Sequence, residues 1–134
     1  MDMIDSLKER RSINFFNPNQ IVSDDTLKEV IDLANLSPSS FNLQPWRVIV
    51  VREPTKKKLL RRCAFDQPKV EEASAILIII ADPSAVEQNR ERVLKSWEDL
   101  GYMKPDMRDT YKEMMQNLYG TEDSEKRRFC IITL

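Results

Sequence analysis

Histidine is absent from this sequence of 134 residues, and glycine and cysteine occur only twice each. Each scarcity removes a class of chemistry. Without histidine the chain lacks the usual general base near neutral pH and the commonest transition-metal ligand. Any catalysis would therefore draw its reactivity from a bound cofactor. Glycine is confined to Gly101 and Gly120, so neither G-x-G-x-x-G nor G-x-x-x-x-G-K-[ST] exists. A dinucleotide-binding crossover and a P-loop are thereby excluded. Cys63 and Cys130 stand far apart with no C-x-x-C, which argues against a disulfide framework and against a zinc site. Both thiols are expected to be buried or half-buried in a reducing cytoplasm. An excess of one charge is missing as well. The 21 basic residues nearly cancel 22 acidic ones, leaving a net charge of -1 and no global attraction to nucleic acid or to an anionic membrane. The longest apolar run, Ala75 to Ala81, is too short to span a bilayer, and no apolar targeting region opens the chain.

What is present is enough for a folded domain. The hydrophobic fraction of 41% supports a core, and the length fits a single domain over residues 1–134. A first helix is expected from about Asp2 to Arg11, then a turn around Asn17-Pro18-Asn19. Ser23, followed by Asp24 and Asp25, opens a second helix whose Leu27, Val30, Ile31 and Ala34 recur at helical spacing. Pro38 closes it by about Ser37. Trp46 to Val51 reads as a strand, and Glu53-Pro54-Thr55 opens a third helix. In that helix Leu59, Leu60 and Cys63 are expected inward and the basic run Lys56–Arg62 mostly solvated. A loop over Phe65–Lys69 and a helical turn over Val70–Ala73 lead to the run Ala75–Ala81, which reads as a strand buried on both faces. Residues 83–120 are helical by pattern, with Gly101 and Gly120 as helix stops. A last helix through Phe129, Ile131 and Ile132 is expected to start at Thr121 or Ser124. Helices interleaved with strands point to an α/β or α+β sandwich.

Two segments carry chemistry. Arg10-Arg11-Ser12 ends the first helix with two guanidiniums, able to fork onto phosphate or carbonyl oxygens, and an adjacent hydroxyl. Arginines in that position also serve as a solvated cap that complements the helix dipole. Ser37-Pro38-Ser39-Ser40-Phe41-Asn42-Leu43-Gln44-Pro45-Trp46 gathers small hydroxyls, amides and prolines between a helix and a strand. Such a stretch suits a polar heterocycle, and it also suits an ordinary connection built from Asx and Ser turns. The methionines and aromatics of residues 83–120 fit either a substrate entrance or a packed core.

Arg-Arg-Ser at the end of a first helix, Pro-Ser-Ser-x-Asn-x-Gln-Pro-Trp about a helix later, and then a strand together resemble the FMN-dependent nitroreductase family. Phe15 or Phe16 before Pro18, Ala34 before the serines, and Gln67 and Ala73 before the apolar strand extend the resemblance over residues 3 to 82. It implies an α+β nitroreductase-like sandwich, a central sheet flanked by helices, working as a homodimer with FMN sites shared across the interface. Arg10 and Arg11 would bind the ribityl phosphate and nearby oxygens, and Ser12 would add a hydrogen bond. Pro38, Ser39, Ser40 and Asn42 would line the flavin from the partner chain, Gln67 would reach its ribityl or ring edge, and Gln44-Pro45-Trp46 would fix the loop. Hydride would pass from NAD(P)H through FMN to a nitroaromatic, quinone or similar acceptor. The flavin would do the chemistry, and no catalytic side chain and no metal is implied. Residues 83–120 would be the family's variable helical segment.

The sequence departs from the family pattern twice. Asn14 stands where a basic residue is usual, a loss of about 1–2 kcal/mol of phosphate attraction. Arg127 to Leu134 resembles the start of the long central helix, and there the sequence ends, short of the family domain's C-terminal part. A truncated, cofactor-poor remnant of the fold without catalysis is the alternative to an active oxidoreductase. A nucleic-acid module built on Lys56–Arg62 is disfavoured by the balanced charge and the lack of interleaved aromatics.

Overall fold

Proline and capping residues set most of the element boundaries. The computed structural model describes residues 2–120 together with Glu122, Ser124, Glu125 and Arg128. Its elements are α1 (Met3–Glu9), α2 (Asp24–Ala34), β1 (Trp46–Val51), α3 (Pro54–Cys63), α4 (Pro68–Glu72), β2 (Ile76–Ala81), α5 (Ser84–Asp99) and α6 (Arg108–Tyr119). Single 3-10 turns occupy Ser40–Asn42 and Pro105–Met107. The class is α+β: β1 and β2 pair in a two-stranded sheet and the remaining elements are helical. Of the helix expected beyond Gly120, Ser124, Glu125 and Arg128 are helical, and its Phe129, Ile131 and Ile132 lie outside the described residues. Among the described residues no helix is long and apolar enough to cross a membrane, and no acidic or thiol cluster suits a metal ion.

Two compact units divide the chain: Met1–Ser23 with Val50–Leu77, and Asp24–Ile49 with Ile78–Leu134. In the first unit charged side chains do much of the joining. The Val22 amide donates to Ser74 Oγ at 2.8 Å, and the Arg52 guanidinium donates to the Val22 carbonyl. Lys57 Nζ donates to the carbonyls of Glu71 (2.9 Å) and Ala73 (2.8 Å) at the end of α4. Arg61 pairs with Asp66 and Glu71. These contacts correct the expected face of α3. Lys57, Leu60 and Arg61 turn inward, whereas Leu59 and Cys63 are exposed. The cause is local: α4 presents carbonyls and carboxylates, so long cationic side chains bury their stems there and satisfy their heads. The expected loop over Phe65–Lys69 is shorter, because Pro68 at the first turn starts α4 early.

The second unit holds the apolar core. Leu43, Val86, Val93, Leu94, Met103, Met115 and Tyr119 are buried together, with Phe41, Ala81, Trp97 and Tyr111 packed around them. Met103 and Met115 are therefore core residues, whereas Met107 and Met114 are exposed. Arg108 bridges α6 to α5 through Glu98 and Glu91, each at 2.7 Å. Gly101 (φ 73°) supplies the left-handed residue that stops the helix, as its position predicts. The expectation that β2 is buried on both faces is corrected. Leu77 is 39% exposed and Ile79, on the same face, 62%, since a sheet of two strands leaves a face uncovered among the described residues.

Asp82 links β2 to α5. Its Oδ1 accepts the Ser84 amide (3.0 Å) and hydroxyl (2.6 Å), its amide donates to the Pro45 carbonyl (2.9 Å), and its second oxygen pairs with Arg47. The Ser84 hydroxyl bond and the Arg47 guanidinium hold its carboxyl below the usual range against the opposing effect of burial. The stability it contributes is present above about pH 3.9, the unperturbed aspartate value, and is lost as pH falls through the lowered native value. Asp82→Asn should lower stability at pH 7 and flatten the acid limb of urea-midpoint measurements taken between pH 2 and 7. Leu94, fully buried in the core, should cost about 2–5 kcal/mol when changed to Ala, read by the same denaturation.

Candidate functional site

Helix α1 ends at Glu9, two residues before the expected end at Arg11. Arg10 leaves the helical region (φ −56°, ψ 127°) while its amide still donates to the Ser6 carbonyl. Arg11 folds back, its guanidinium donating to the carbonyls of Lys8 (2.6 Å) and Arg10 (2.9 Å), two acceptors at the C-terminal end of the helix. Arg10, Arg11 and Ser12 are all exposed, and neither arginine has a carboxylate partner among the described residues. Two uncompensated guanidiniums in adjacent positions are the chemistry that an anionic phosphate needs.

Gln67 belongs to the same unit. It stands at the N-cap of α4 with an extended backbone, half-buried, and its side chain makes no capping bond. Two residues on, Lys69 Nζ donates to Asn14 Oδ1 at 3.0 Å. A cation thus sits against Asn14, two residues past Ser12. Reading Phe65–Lys69 as a loop hid this contact.

Pro38, Ser39, Ser40 and Asn42 belong to the second unit. Ser39 Oγ accepts the Gln44 amide at 2.9 Å, and the Ser39 carbonyl accepts the Asn42 amide at 2.9 Å. The Ser40 carbonyl accepts the Leu43 amide at 3.2 Å. Within this short stretch Phe41 (φ 54°), Asn42 (φ 53°) and Gln44 (φ 47°) are left-handed, although none is glycine. Each such residue costs about 1–2 kcal/mol, a conformation kept only where surrounding contacts impose it and concentrated at functional sites. The effect is an alternation in which Leu43 is fully buried while Asn42 and Pro38 stand exposed. The Asn42 amide side chain has no partner among the described residues and is free to bond a ligand.

Gln44 and Trp46 hold the other end of the loop. Gln44 Nε2 donates to the Asn35 carbonyl at 2.6 Å, and Trp46 Nε1 donates to Asn35 Oδ1 at 3.1 Å. They anchor the loop to the end of α2 and begin β1, in line with the structural role the sequence suggests. Asn89 on α5 donates to the Leu43 carbonyl at 2.9 Å, and Tyr119 on α6 donates to the Ser40 carbonyl at 3.0 Å. Sequence reasoning missed Asn35, Asn89 and Tyr119, because nothing in their spacing links them to the loop.

A sequence model of the Nitroreductase family matches residues 7–121. A Thermus thermophilus protein named NADH dehydrogenase is 32% identical over 120 residues, covering 90% of this chain and 56% of its own length. The Lactiplantibacillus plantarum CLA biosynthesis enone reductase is 34% identical over 100 residues, covering 73% of this chain and 46% of its own. The chain thus spans about half the length of these curated relatives. Among solved structures, an FMN complex of a nitroreductase candidate from Exiguobacterium sibiricum 255-15 matches with a TM-score of 0.78 at 28% identity, over 99% of this chain and 64% of the other. With its family motif set in the loop and arginine geometry described above, and a family match over most of its length, the chain belongs to the nitroreductase family.

Proposed function

We propose that this chain contributes to an FMN-dependent oxidoreductase that carries hydride from NAD(P)H to a small, electron-poor acceptor such as a nitroaromatic or a quinone. The observation that carries this reading is the exposed Arg10–Arg11 pair without a carboxylate partner among the described residues. The FMN complex of a structural relative and the relatives named for NADH and enone chemistry support it.

The residues present fit such a cofactor. Arg10 and Arg11 would hold its phosphate, with Ser12 adding a hydroxyl donor. Gln67, whose side chain makes no capping bond, would bond the ribityl chain or ring edge. Pro38, Ser39, Ser40 and Asn42 would lie against the ring of a site completed by a second copy of the chain. The homodimer draws support from α2, where Val30, Leu33 and the following Leu36 form an exposed apolar strip beside Lys28 and Asp32. Bound FMN supplies the hydride acceptance and donation that the side chains lack. The chain binds, orients and charge-balances it. A cytoplasmic, reducing setting suits the exposed Cys63 thiol.

A second reading, a family fold that holds no cofactor, rests on the uncharged Asn14 in the phosphate-facing segment. Lys69 weakens it, because its ammonium on Asn14 Oδ1 returns a positive charge to that segment.

The phosphate assignment is tested by comparing FMN with riboflavin through quenching of flavin fluorescence. Wild type should bind FMN at least about tenfold more tightly than riboflavin. Arg10→Ala and Arg11→Ala should each weaken FMN about 10–100-fold, the scale of one charge-assisted hydrogen bond, and leave riboflavin nearly unchanged. Equal affinity for the two flavins in wild type would refute the role of the arginines.

A further inference from the structure

The loop that carries Ser39, Ser40 and Asn42 is held by its own bonds, the Gln44 amide on Ser39 Oγ among them, and also from outside. Its left-handed residues Phe41, Asn42 and Gln44 are unfavourable backbone that restraints from outside the loop help to hold. Three restraints come from the helical segment after β2, all inside the second unit. Tyr119 Oη, on a side chain only 1% exposed, donates to the Ser40 carbonyl at 3.0 Å. Asn89 Nδ2 donates to the Leu43 carbonyl at 2.9 Å. The Phe41 ring leans on Trp97, centroids 6.2 Å apart and planes at 41°, and Trp97 in turn meets the edge of Tyr111 at 5.5 Å. Residues 40, 41 and 43 are thus drawn toward α5 and α6, and Asn42 between them is left facing out.

We propose that Tyr119, assisted by Asn89, is a positioning residue for the flavin half-site: it fixes the Ser40 carbonyl so that the left-handed loop presents Asn42 and the adjacent serines to the ring. The role rests on the flavin reading above. It gives α5 and α6 a second duty besides packing, since the affinity of the loop for flavin is set from a helix that touches only its concealed side. The Tyr119 hydroxyl makes no claim on the phosphate. Loss of its bond to the Ser40 carbonyl acts on the ring-facing loop, and FMN and riboflavin should suffer equally.

The test uses the full chain with Tyr119→Phe, which keeps the ring and removes the donor, Asn89→Ala as the second anchor, and Met114→Ala, at an exposed position of the same helix, as the control. Hydrogen exchange by mass spectrometry is read over residues 39–46 without flavin. FMN and riboflavin dissociation constants are then measured by fluorescence quenching. Tyr119→Phe should speed exchange of the Asn42, Leu43 and Gln44 amides about fivefold while α5 keeps its protection. It should also raise both flavin dissociation constants by a common factor of about five. Asn89→Ala should do the same, and Met114→Ala neither. Unchanged loop exchange in both anchor variants would overturn the clamp. Faster exchange with unchanged flavin affinity would overturn the positioning role and leave Tyr119 a packing residue. A wild-type chain with no affinity for either flavin would overturn the flavin reading itself and the positioning role with it, and loop exchange alone would then decide the clamp.

Discussion

The left-handed backbone at Phe41, Asn42 and Gln44 is the constraint on which the second unit turns. Three non-glycine residues in that conformation within four positions are unfavourable in isolation. They persist because Leu43 is driven into the core and because Asn35, Asn89 and Tyr119 each satisfy or anchor a polar group of the loop. Burial of Leu43 and exposure of Asn42 are therefore two sides of one arrangement. A chain that released Leu43 would lose both core packing and the outward set of polar groups.

The first unit solves a different problem with little buried apolar surface, Val51 being its one buried hydrophobic among the described residues. Its joins are made by Lys57, Arg61, Arg52 and Lys69 reaching carbonyls, carboxylates and the Asn14 amide. Exposed charge pairs contribute little each, so the value of these contacts lies in geometry. Lys57 and Arg61 tie α4 to α3, and Lys69 ties it to Asn14 in the segment that follows Ser12. The basic run Lys56–Arg62 divides accordingly: Lys57 and Arg61 join α3 to α4, and Lys56, Lys58 and Arg62 are exposed.

Much of this was legible from residue patterns. Pro54, Trp46 and Val51 mark boundaries that the structure keeps, because proline at a helix start and a short β-branched run leave few alternatives. Gly101 stops α5 where a left-handed residue is required. The Pro38–Trp46 motif led to the family through resemblance, and the family match agrees. Other features were illegible for physical reasons. The inward face of α3 depends on what α4 offers it, and a helical wheel cannot show that a lysine will find two carbonyls. The exposure of β2 depends on how many layers cover the sheet, which an apolar run does not encode. Tyr119 lies 79 positions from Ser40, and no spacing rule reaches that far.

In the proposed flavin site, the arginine pair of one copy of the chain and the left-handed loop of a second copy each hold part of the cofactor. The most direct measurement is the visible absorption spectrum of the purified protein after incubation with excess FMN and removal of the unbound fraction. A retained flavin band corresponding to about one FMN per chain is the predicted result, since each chain carries one arginine pair and one loop. A colourless protein under those conditions would contradict the account, leaving the family assignment in place and a cofactor-free fold as its better description.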